Sequence, residues 1–278
     1  MFKKKEIIIN NKKTCYWERN HLHENVVIFL HGFPGNHIGL IDMAKNFSDY
    51  RIIIPDLPAC GQSEPLNGKH NLKNYSQWLN SFLEALSLSQ VSIIGHSFGS
   101  RVGLVFSSEY KDKVERLVLI TPVVKVEGLI AQAVSLEYKI ADMLPEYLQK
   151  AWLQNRVHYK VGDMIIFKTS SLKRRQQLIA RRNEEIKNLN PKINIELFDE
   201  FYKFSLVPLG KQVKIKSLII AGREDEIAPL ASIQELADQL ENVKFVVMED
   251  SGHIVVGEEP IKTANIIKRW FNEKPHQA

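Results

Sequence analysis

A serine in this chain has the surroundings of a nucleophile. Ser97 lies in Gly95-His96-Ser97-Phe98-Gly99, which directly follows the apolar run at residues 91–94. A serine flanked by glycines between a strand and a helix sits at a sharp turn that exposes its hydroxyl group. The helix behind it supplies free N–H groups and a positive dipole end. The pattern therefore predicts Ser97 as a nucleophile that forms anionic intermediates.

A serine nucleophile needs a base to take its proton and an acid to orient that base. Asp225 follows the apolar run at residues 218–221, and His253 follows the next run at residues 243–248. All three side chains are predicted at the carboxyl ends of strands, where open α/β sheets place their sites. Neighbouring carboxylates remain rival acids: Glu224, Glu226 and Asp250.

An oxyanion formed at Ser97 needs two N–H donors aimed at it. The amide of Phe98, directly after the nucleophile, is one candidate. The other is expected in the loop at residues 31–35, where Pro34 has no N–H, so the amide of Phe33 is the best candidate. His31 in this loop is expected to be structural rather than catalytic.

Buried strands that alternate with helices predict a mostly parallel sheet covered on both faces. Between about residues 123 and 210 the pattern changes, because helical sequences follow one another without a convincing strand. We expect a core of residues 1–122 and 211–278 and a helical cap of residues 123–210. The helices expected in the cap are residues 129–144, 145–159, 172–189 and 195–204.

The composition of the 278 residues, 44% hydrophobic and 25% charged, is ordinary for a globular enzyme. No apolar run approaches the ~18 residues of a membrane span, so a cytoplasmic protein is expected. Cys15 and Cys60 form neither a disulfide framework nor a metal pattern. The net charge of +5 includes a basic stretch, Lys173 to Arg182, interpreted as a solvated helix face. No nucleic-acid-binding motif is present.

The chain resembles the α/β-hydrolase superfamily at several motifs, in the order and spacing of that family. These are residues 31–35, 56–63, 95–99, 222–225 with Pro229, and 251–253. The resemblance implies an eight-stranded, mostly parallel sheet with helices on both faces and a helical cap. It implies Ser97 as nucleophile, His253 as base and acid, Asp225 as orienting acid, and the amides of Phe33 and Phe98 as oxyanion donors. Many relatives have glycine where this chain has Ala59, so the backbone there is expected to differ.

Arg101, four residues after Ser97, has two interpretations. It is either a structural ion pair or a clamp for a substrate carboxylate. At this arginine the sequence is similar to a menaquinone-pathway synthase family, in which the residue contacts the substrate acid. His96, Trp152 and Arg156 are further candidates for such a site.

The function expected is hydrolysis of a small or medium carboxylic ester through an acyl-enzyme on Ser97, without metal or organic cofactor. The partner expected is a small-molecule substrate, with the chain a monomer or dimer. Fold alone does not separate this chemistry from carbon–carbon bond hydrolysis or the synthase reaction on the same residues. A hydrolase-like receptor that only binds a ligand is a further alternative.

Overall fold

A computed structural model describes residues 1–126, 129–153, 172–187 and 190–273, and these residues form an eight-stranded sheet. The strands are β1 Lys3–Ile9, β2 Lys12–Arg19, β3 Val26–Leu30, β4 Arg51–Pro55, β5 Val91–His96, β6 Val114–Ile120, β7 Lys216–Gly222 and β8 Val243–Met248. Their order is β1-β2-β4-β3-β5-β6-β7-β8. The β1–β2 and β2–β4 pairs are antiparallel, whereas β4 to β8 are mutually parallel.

Helices connect and cover the strands. In chain order they are α1 Ile38–Ala44, α2 Leu72–Ala85, α3 Phe98–Glu109, α4 Leu129–Asp142, α5 Glu146–Leu153, α6 Leu172–Lys187, α7 Pro191–Lys203, α8 Val207–Gly210, α9 Leu230–Ala237, α10 Val255–Glu258 and α11 Pro260–Phe271. Helices α4 to α7 lie between β6 and β7 in the chain. None of the described helices has both the length and the hydropathy of a bilayer-spanning segment.

The sheet has a hydrophobic core on each face, as its central strands require. In β3, Ile28 and Leu30 belong to one buried cluster, and Val27 and Phe29 belong to the other. Helices α2, α3 and α9 cover the first face, and α1, α10 and α11 cover the second. A strand that is apolar on both sides must be covered twice. The predicted fold class, a mostly parallel sheet with helices on both faces, is confirmed.

Some helix boundaries differ from those expected. The sequence analysis did not predict α1, because seven residues are too short to establish a helical period. Helix α7 begins at Pro191, before the expected residue 195, because the Asn190 side chain accepts a hydrogen bond from the N–H of Ile193 and caps the helix. The second half of the helix expected at residues 145–159 lies outside the described residues.

Helix α3 approaches the sheet very closely at Gly99. A Cβ atom on Gly99 would lie 2.1 Å from the carbonyl oxygen of Leu30, at the end of β3. That contact is with backbone, which cannot rotate away as a flexible side chain would. Only glycine therefore lets α3 begin this close to the strand that carries the neighbouring loop.

We predict that Gly99→Ala destabilises the fold and Gly39→Ala does not. The added methyl group at Gly99 must displace the backbone of β3, at a cost of roughly 1–3 kcal/mol. A Cβ on Gly39, in α1, meets nothing within 4 Å, and alanine is the better helix former. Urea unfolding of both variants measures the difference, and equal stabilities would contradict the close approach.

Candidate active site

Ser97 occupies a strained turn between β5 and α3. Its backbone has φ 52° and ψ −113°, a conformation that a residue with a Cβ atom adopts only when its surroundings constrain it. The N–H of Ser97 donates to the carbonyl oxygen of Ile120 on the neighbouring strand, at 2.9 Å. This hydrogen bond to β6 holds the corner in place at the carboxyl edge of the sheet.

The structure brings Ser97, His253 and Asp225 together in a continuous hydrogen-bonded chain. Nε2 of His253 lies 2.9 Å from Oγ of Ser97, and Nδ1 lies 2.8 Å from Oδ2 of Asp225. All three residues are 5% exposed. With Nδ1 donating to the carboxylate, Nε2 is left as the acceptor for the serine hydroxyl group. This arrangement can remove a proton from the hydroxyl as it attacks.

The Asp225 carboxylate is fixed by its own hydrogen bonds. Its Oδ1 accepts from the N–H groups of Ile227 and Ala228, both at 2.8 Å. Donors of this kind favour the charged carboxylate. The rival acids Glu224, Glu226 and Asp250 are exposed, and within the described parts of the chain it is Asp225 that hydrogen-bonds to the His253 ring.

The backbone of His253 is also held, by residues that the sequence analysis did not single out for this task. Its carbonyl oxygen accepts from Nε2 of His96 at 3.1 Å and from Oγ1 of Thr121 at 3.0 Å. The Glu258 carboxylate accepts from the N–H of Gly252 at 2.8 Å. Thr121 directly follows β6, so its place at a strand end was the available signal.

His96 lies next to Ser97 as a neutral ring. Burial lowers its pKa to about 3, with the neighbouring His253 adding to the effect. A neutral ring that donates from Nε2 to a carbonyl adds no positive charge beside His253. His96 also lines the cavity described below.

The loop after β3 is shaped by His31. Its Nε2 accepts from the N–H of Leu57 at 2.9 Å, and its Nδ1 donates to the carbonyl oxygen of Gly32 at 2.8 Å. Burial lowers the pKa of His31, so the ring is neutral in this arrangement. The N–H groups of Phe33 and Phe98 are not donors in the backbone hydrogen bonds of the described residues. Both candidate oxyanion donors are thus available.

The loop after β4 is organised by Asp56. Its carboxylate accepts from the backbone N–H and Nδ1 of His37 and from the N–H of Gln62, at 2.8 to 2.9 Å. Ala59 has φ 65°, a left-handed conformation that glycine adopts without strain. Holding alanine in this conformation costs about 1 kcal/mol, and the expected difference from the backbone of the relatives stays a prediction.

A cavity of about 690 Å³ opens beside Ser97 and His253. Its lining is mostly apolar, a composition typical of small-molecule sites. The apolar lining includes Phe33, Val126, Leu178, Phe198, Phe201 and Ile227. Trp152 is not among the lining residues and is 41% exposed. Arg156 lies outside the described residues.

Arg101 does not line this cavity, so the structure does not place it beside Ser97 as a clamp. The side chain is fully buried, and its guanidinium donates to the carbonyl oxygens of Val123 at 2.5 Å and Phe204 at 2.6 Å. It also lies over the Phe201 ring, 5.0 Å from the centroid. Neither expected role fits, because its partners are backbone carbonyls rather than an acid. Arg101 joins the start and the end of the segment between β6 and β7 to α3.

The basic stretch on α6 is not a solvated face throughout, which corrects the sequence interpretation. Lys173 is exposed. Arg174 forms an ion pair with Asp42 at 3.0 Å, and Arg181 and Arg182 line the cavity. The interpretation as a solvated face was wrong for these three arginines, because they lie on the face of α6 that is turned to the core. That face also carries the buried Leu178.

We predict that Arg101→Met destabilises the protein by roughly 3 kcal/mol, because the carbonyl groups of the buried Val123 and the half-buried Phe204 lose their donor. Arg223→Met is the control, since it removes an exposed ion pair with Glu249, which contributes little. Urea unfolding monitored by tryptophan fluorescence gives both values. Equal losses in the two variants would refute the joining role of Arg101.

Comparisons with known proteins identify the family to which this chain belongs. A family model described as "alpha/beta hydrolase fold" matches residues 25–260. Lipase 1 of Psychrobacter immobilis is 23% identical over 270 residues, which are 95% of this chain and 82% of that lipase. Monoacylglycerol lipase ABHD6 of Homo sapiens is 23% identical over 261 residues, 88% of this chain and 74% of that protein.

A similar structure supports the same fold. A thermophilic esterase from Thermogutta terrifontis superposes with a TM-score of 0.82 at 18% identity, covering 97% of this chain and 98% of the esterase. At this identity the likeness concerns the fold alone. The family match, by contrast, spans most of the sequence, including the segments that carry Ser97, Asp225 and His253. The chain therefore belongs to the alpha/beta hydrolase fold family.

Proposed function

We propose that this protein is a serine hydrolase that cleaves carboxylic esters through an acyl-enzyme on Ser97. The observation that carries the proposal is the hydrogen-bonded chain from Ser97 Oγ through the His253 ring to Asp225, beside a mostly apolar cavity. The similarity to a lipase and to a monoacylglycerol lipase, both named for ester cleavage, supports this proposal.

In the first half of the reaction, the Oγ atom of Ser97 attacks the ester carbonyl carbon while Nε2 of His253 takes the hydroxyl proton. Asp225 remains ionised and stabilises the imidazolium that forms, through the hydrogen bond at Nδ1. The tetrahedral intermediate collapses, its bond to the alcohol oxygen breaks, and His253 returns the proton to the departing alcohol. The acyl group stays on Ser97 as an ester.

The negative charge on the carbonyl oxygen requires donors that are in place before the reaction. We assign this task to the N–H groups of Phe33 and Phe98. The His31 hydrogen bonds to Leu57 and Gly32 hold the loop that carries Phe33. Phe98 is the first residue of α3, where the N–H has no partner within the helix.

In the second half, water enters the cavity and attacks the acyl carbon. His253 takes a proton from the water, then returns it to Ser97 Oγ as the acyl bond breaks. The products are the carboxylic acid and the regenerated serine. Every proton in both halves passes through Nε2 of His253, so this mechanism needs no further group to move protons.

The segment between β6 and β7 supplies one side of the cavity. Leu178 on α6 and Phe198, Phe201 and Tyr202 on α7 are lining residues. We propose that residues 123–210 form a cap that sets specificity, over a core of residues 1–122 and 211–278. A volume of about 690 Å³ suits a medium acyl chain together with a small alcohol.

We predict that Ser97→Ala abolishes ester hydrolysis and that Asp225→Asn lowers kcat by about 10³- to 10⁴-fold, because the His253 tautomer is no longer fixed. Initial rates on 4-nitrophenyl butyrate measure both effects. A fluorophosphonate probe should label the wild type at Ser97, with loss of fluoride, and should leave Ser97→Ala unlabelled. Equal labelling of the two proteins would rule out Ser97 as the nucleophile.

We also predict that kcat/KM rises with acyl length across 4-nitrophenyl acetate, butyrate, hexanoate and octanoate. Each methylene buried in the apolar cavity contributes about 0.8 kcal/mol, which corresponds to a factor of roughly four until the cavity is filled. A preference for acetate would contradict this prediction. Inactivity on all four esters, with turnover of a dienone acid, would favour carbon–carbon bond hydrolysis.

A further inference from the structure

Helix α6 is attached to the core along one face. Nη2 of Arg174 pairs with Asp42 at 3.0 Å, and Nε of Arg174 donates to the carbonyl oxygen of Gly257 at 2.8 Å. One turn further, Leu178 is buried and packs against Gly257, where an added Cβ would lie 2.9 Å from its Cδ2. These contacts to α1 and α10 fix which side of α6 faces the site.

The next residues on that face enter the cavity beside Ser97. Leu178, Arg181, Arg182 and Glu185 all line it, and a spacing of three or four residues places them on one side of a helix. The cavity therefore has a charged patch, defined here as Arg181 and Glu185, in a mostly apolar lining.

Arg181 is partly buried, yet no hydrogen bond or ion pair joins its guanidinium to another of the described residues. Another lining cation is already neutralised, since Lys125 pairs with Glu235 at 2.7 Å. A guanidinium that borders an apolar cavity, with no bonded partner in the described part of the chain, is suited to an anion, because its planar fork matches carboxylate and phosphate oxygens.

An exposed glutamate beside Arg181 would be ionised and would neutralise the positive charge of the guanidinium. Glu185 differs because it is largely buried. Burial raises its pKa to about 7, with Arg181 and Arg182 on its own helix opposing the shift and Asp56, after β4, adding to it. Cys60, in the same loop as Asp56, also feels the Glu185 charge. Near neutral pH a large fraction of Glu185 is therefore protonated, and a neutral carboxylic acid can donate a hydrogen bond to an anion.

We propose that Arg181, with Glu185 beside it, binds an anionic group that the substrate carries away from its scissile ester bond. The inference rests on the proposed ester hydrolysis and specifies its substrate class: esters with a second, charged oxygen group such as a carboxylate. Arg181 acts in binding and takes no part in bond cleavage.

The test compares matched esters that differ in one charge. The mono-4-nitrophenyl esters of adipic, suberic and sebacic acids carry a carboxylate on the acyl side, and the 4-nitrophenyl esters of hexanoic, octanoic and decanoic acids are their neutral counterparts. For the alcohol side, the octanoate ester of 3-hydroxybenzoate is compared with that of 3-hydroxybenzamide. The readout is the ratio of kcat/KM for the charged ester to kcat/KM for the neutral one.

In the wild type we expect a ratio above one in at least one series. Arg181→Gln should lower that ratio at least tenfold, since the variant loses a charge-assisted hydrogen bond to the anion, which is about twice as strong as a neutral one. Lys173→Gln removes the same charge from the exposed side of α6 and should leave the ratio at its wild-type value. The series that responds identifies the side of the substrate on which the anion lies.

A wild-type ratio of one or less in every series would overturn the inference, and so would an equal fall in Arg181→Gln and Lys173→Gln. In both cases the proposed function would stand as long as the wild type hydrolyses the neutral esters and Ser97→Ala does not. Loss of all ester hydrolysis in the wild type would instead remove the proposed function itself.

The pH dependence of the same ratio tests Glu185. The probe carboxylate, like a free glutamate with a pKa of about 4.3, is ionised throughout pH 6 to 8.5. As Glu185 loses its proton through pH 7, its new charge repels the anion, so the wild-type ratio should fall roughly threefold to tenfold as pH rises. Because both esters of a pair pass through the same catalytic steps, taking the ratio cancels every pH effect that the two esters share. Glu185→Gln should make the ratio independent of pH, and a persistent fall in this variant would exclude Glu185.

Discussion

The left-handed backbone at Ser97 is the constraint on which the rest of the site depends. This backbone turns the chain from β5 into α3 within one residue. The Ser97 hydroxyl group therefore lies at the carboxyl edge of the sheet, between the end of the strand and the start of the helix. The strain persists because the surrounding contacts leave no alternative. The N–H of Ser97 is bonded to β6, and the missing side chain of Gly99 lets α3 lie against the end of β3.

His253 is held at two points, its ring and its backbone carbonyl, by groups of different charge. The ionised Asp225 contacts the ring, whereas the neutral His96 and Thr121 contact the backbone carbonyl. A protonated His96 would oppose the positive charge that His253 acquires in the proposed reaction. Burial keeps His96 neutral, so its hydrogen bond positions His253 without an electrostatic penalty for that charge.

The meeting of Ser97, Asp225 and His253 could be predicted from sequence because each follows an apolar run, and the ends of parallel strands share one edge of a sheet. The partners of Arg101 could not, since backbone carbonyls have no sequence signature. Nor could the side that α6 turns to the cavity. Arginines at helical spacing are compatible with solvent or with a site, and only the tertiary contacts of Arg174 and Leu178 decide between them.

The position of Arg101 has a consequence for how such a protein can change. The Arg101 guanidinium donates hydrogen bonds to Val123, near the start of the segment between β6 and β7, and to Phe204, towards its end. What that arginine recognises is two main-chain oxygens, which any amino acid can offer. The sequence between the two attachment points can therefore diverge in evolution, or be exchanged by design, while the segment keeps its attachment to α3 and the arrangement of Ser97, His253 and Asp225 is retained.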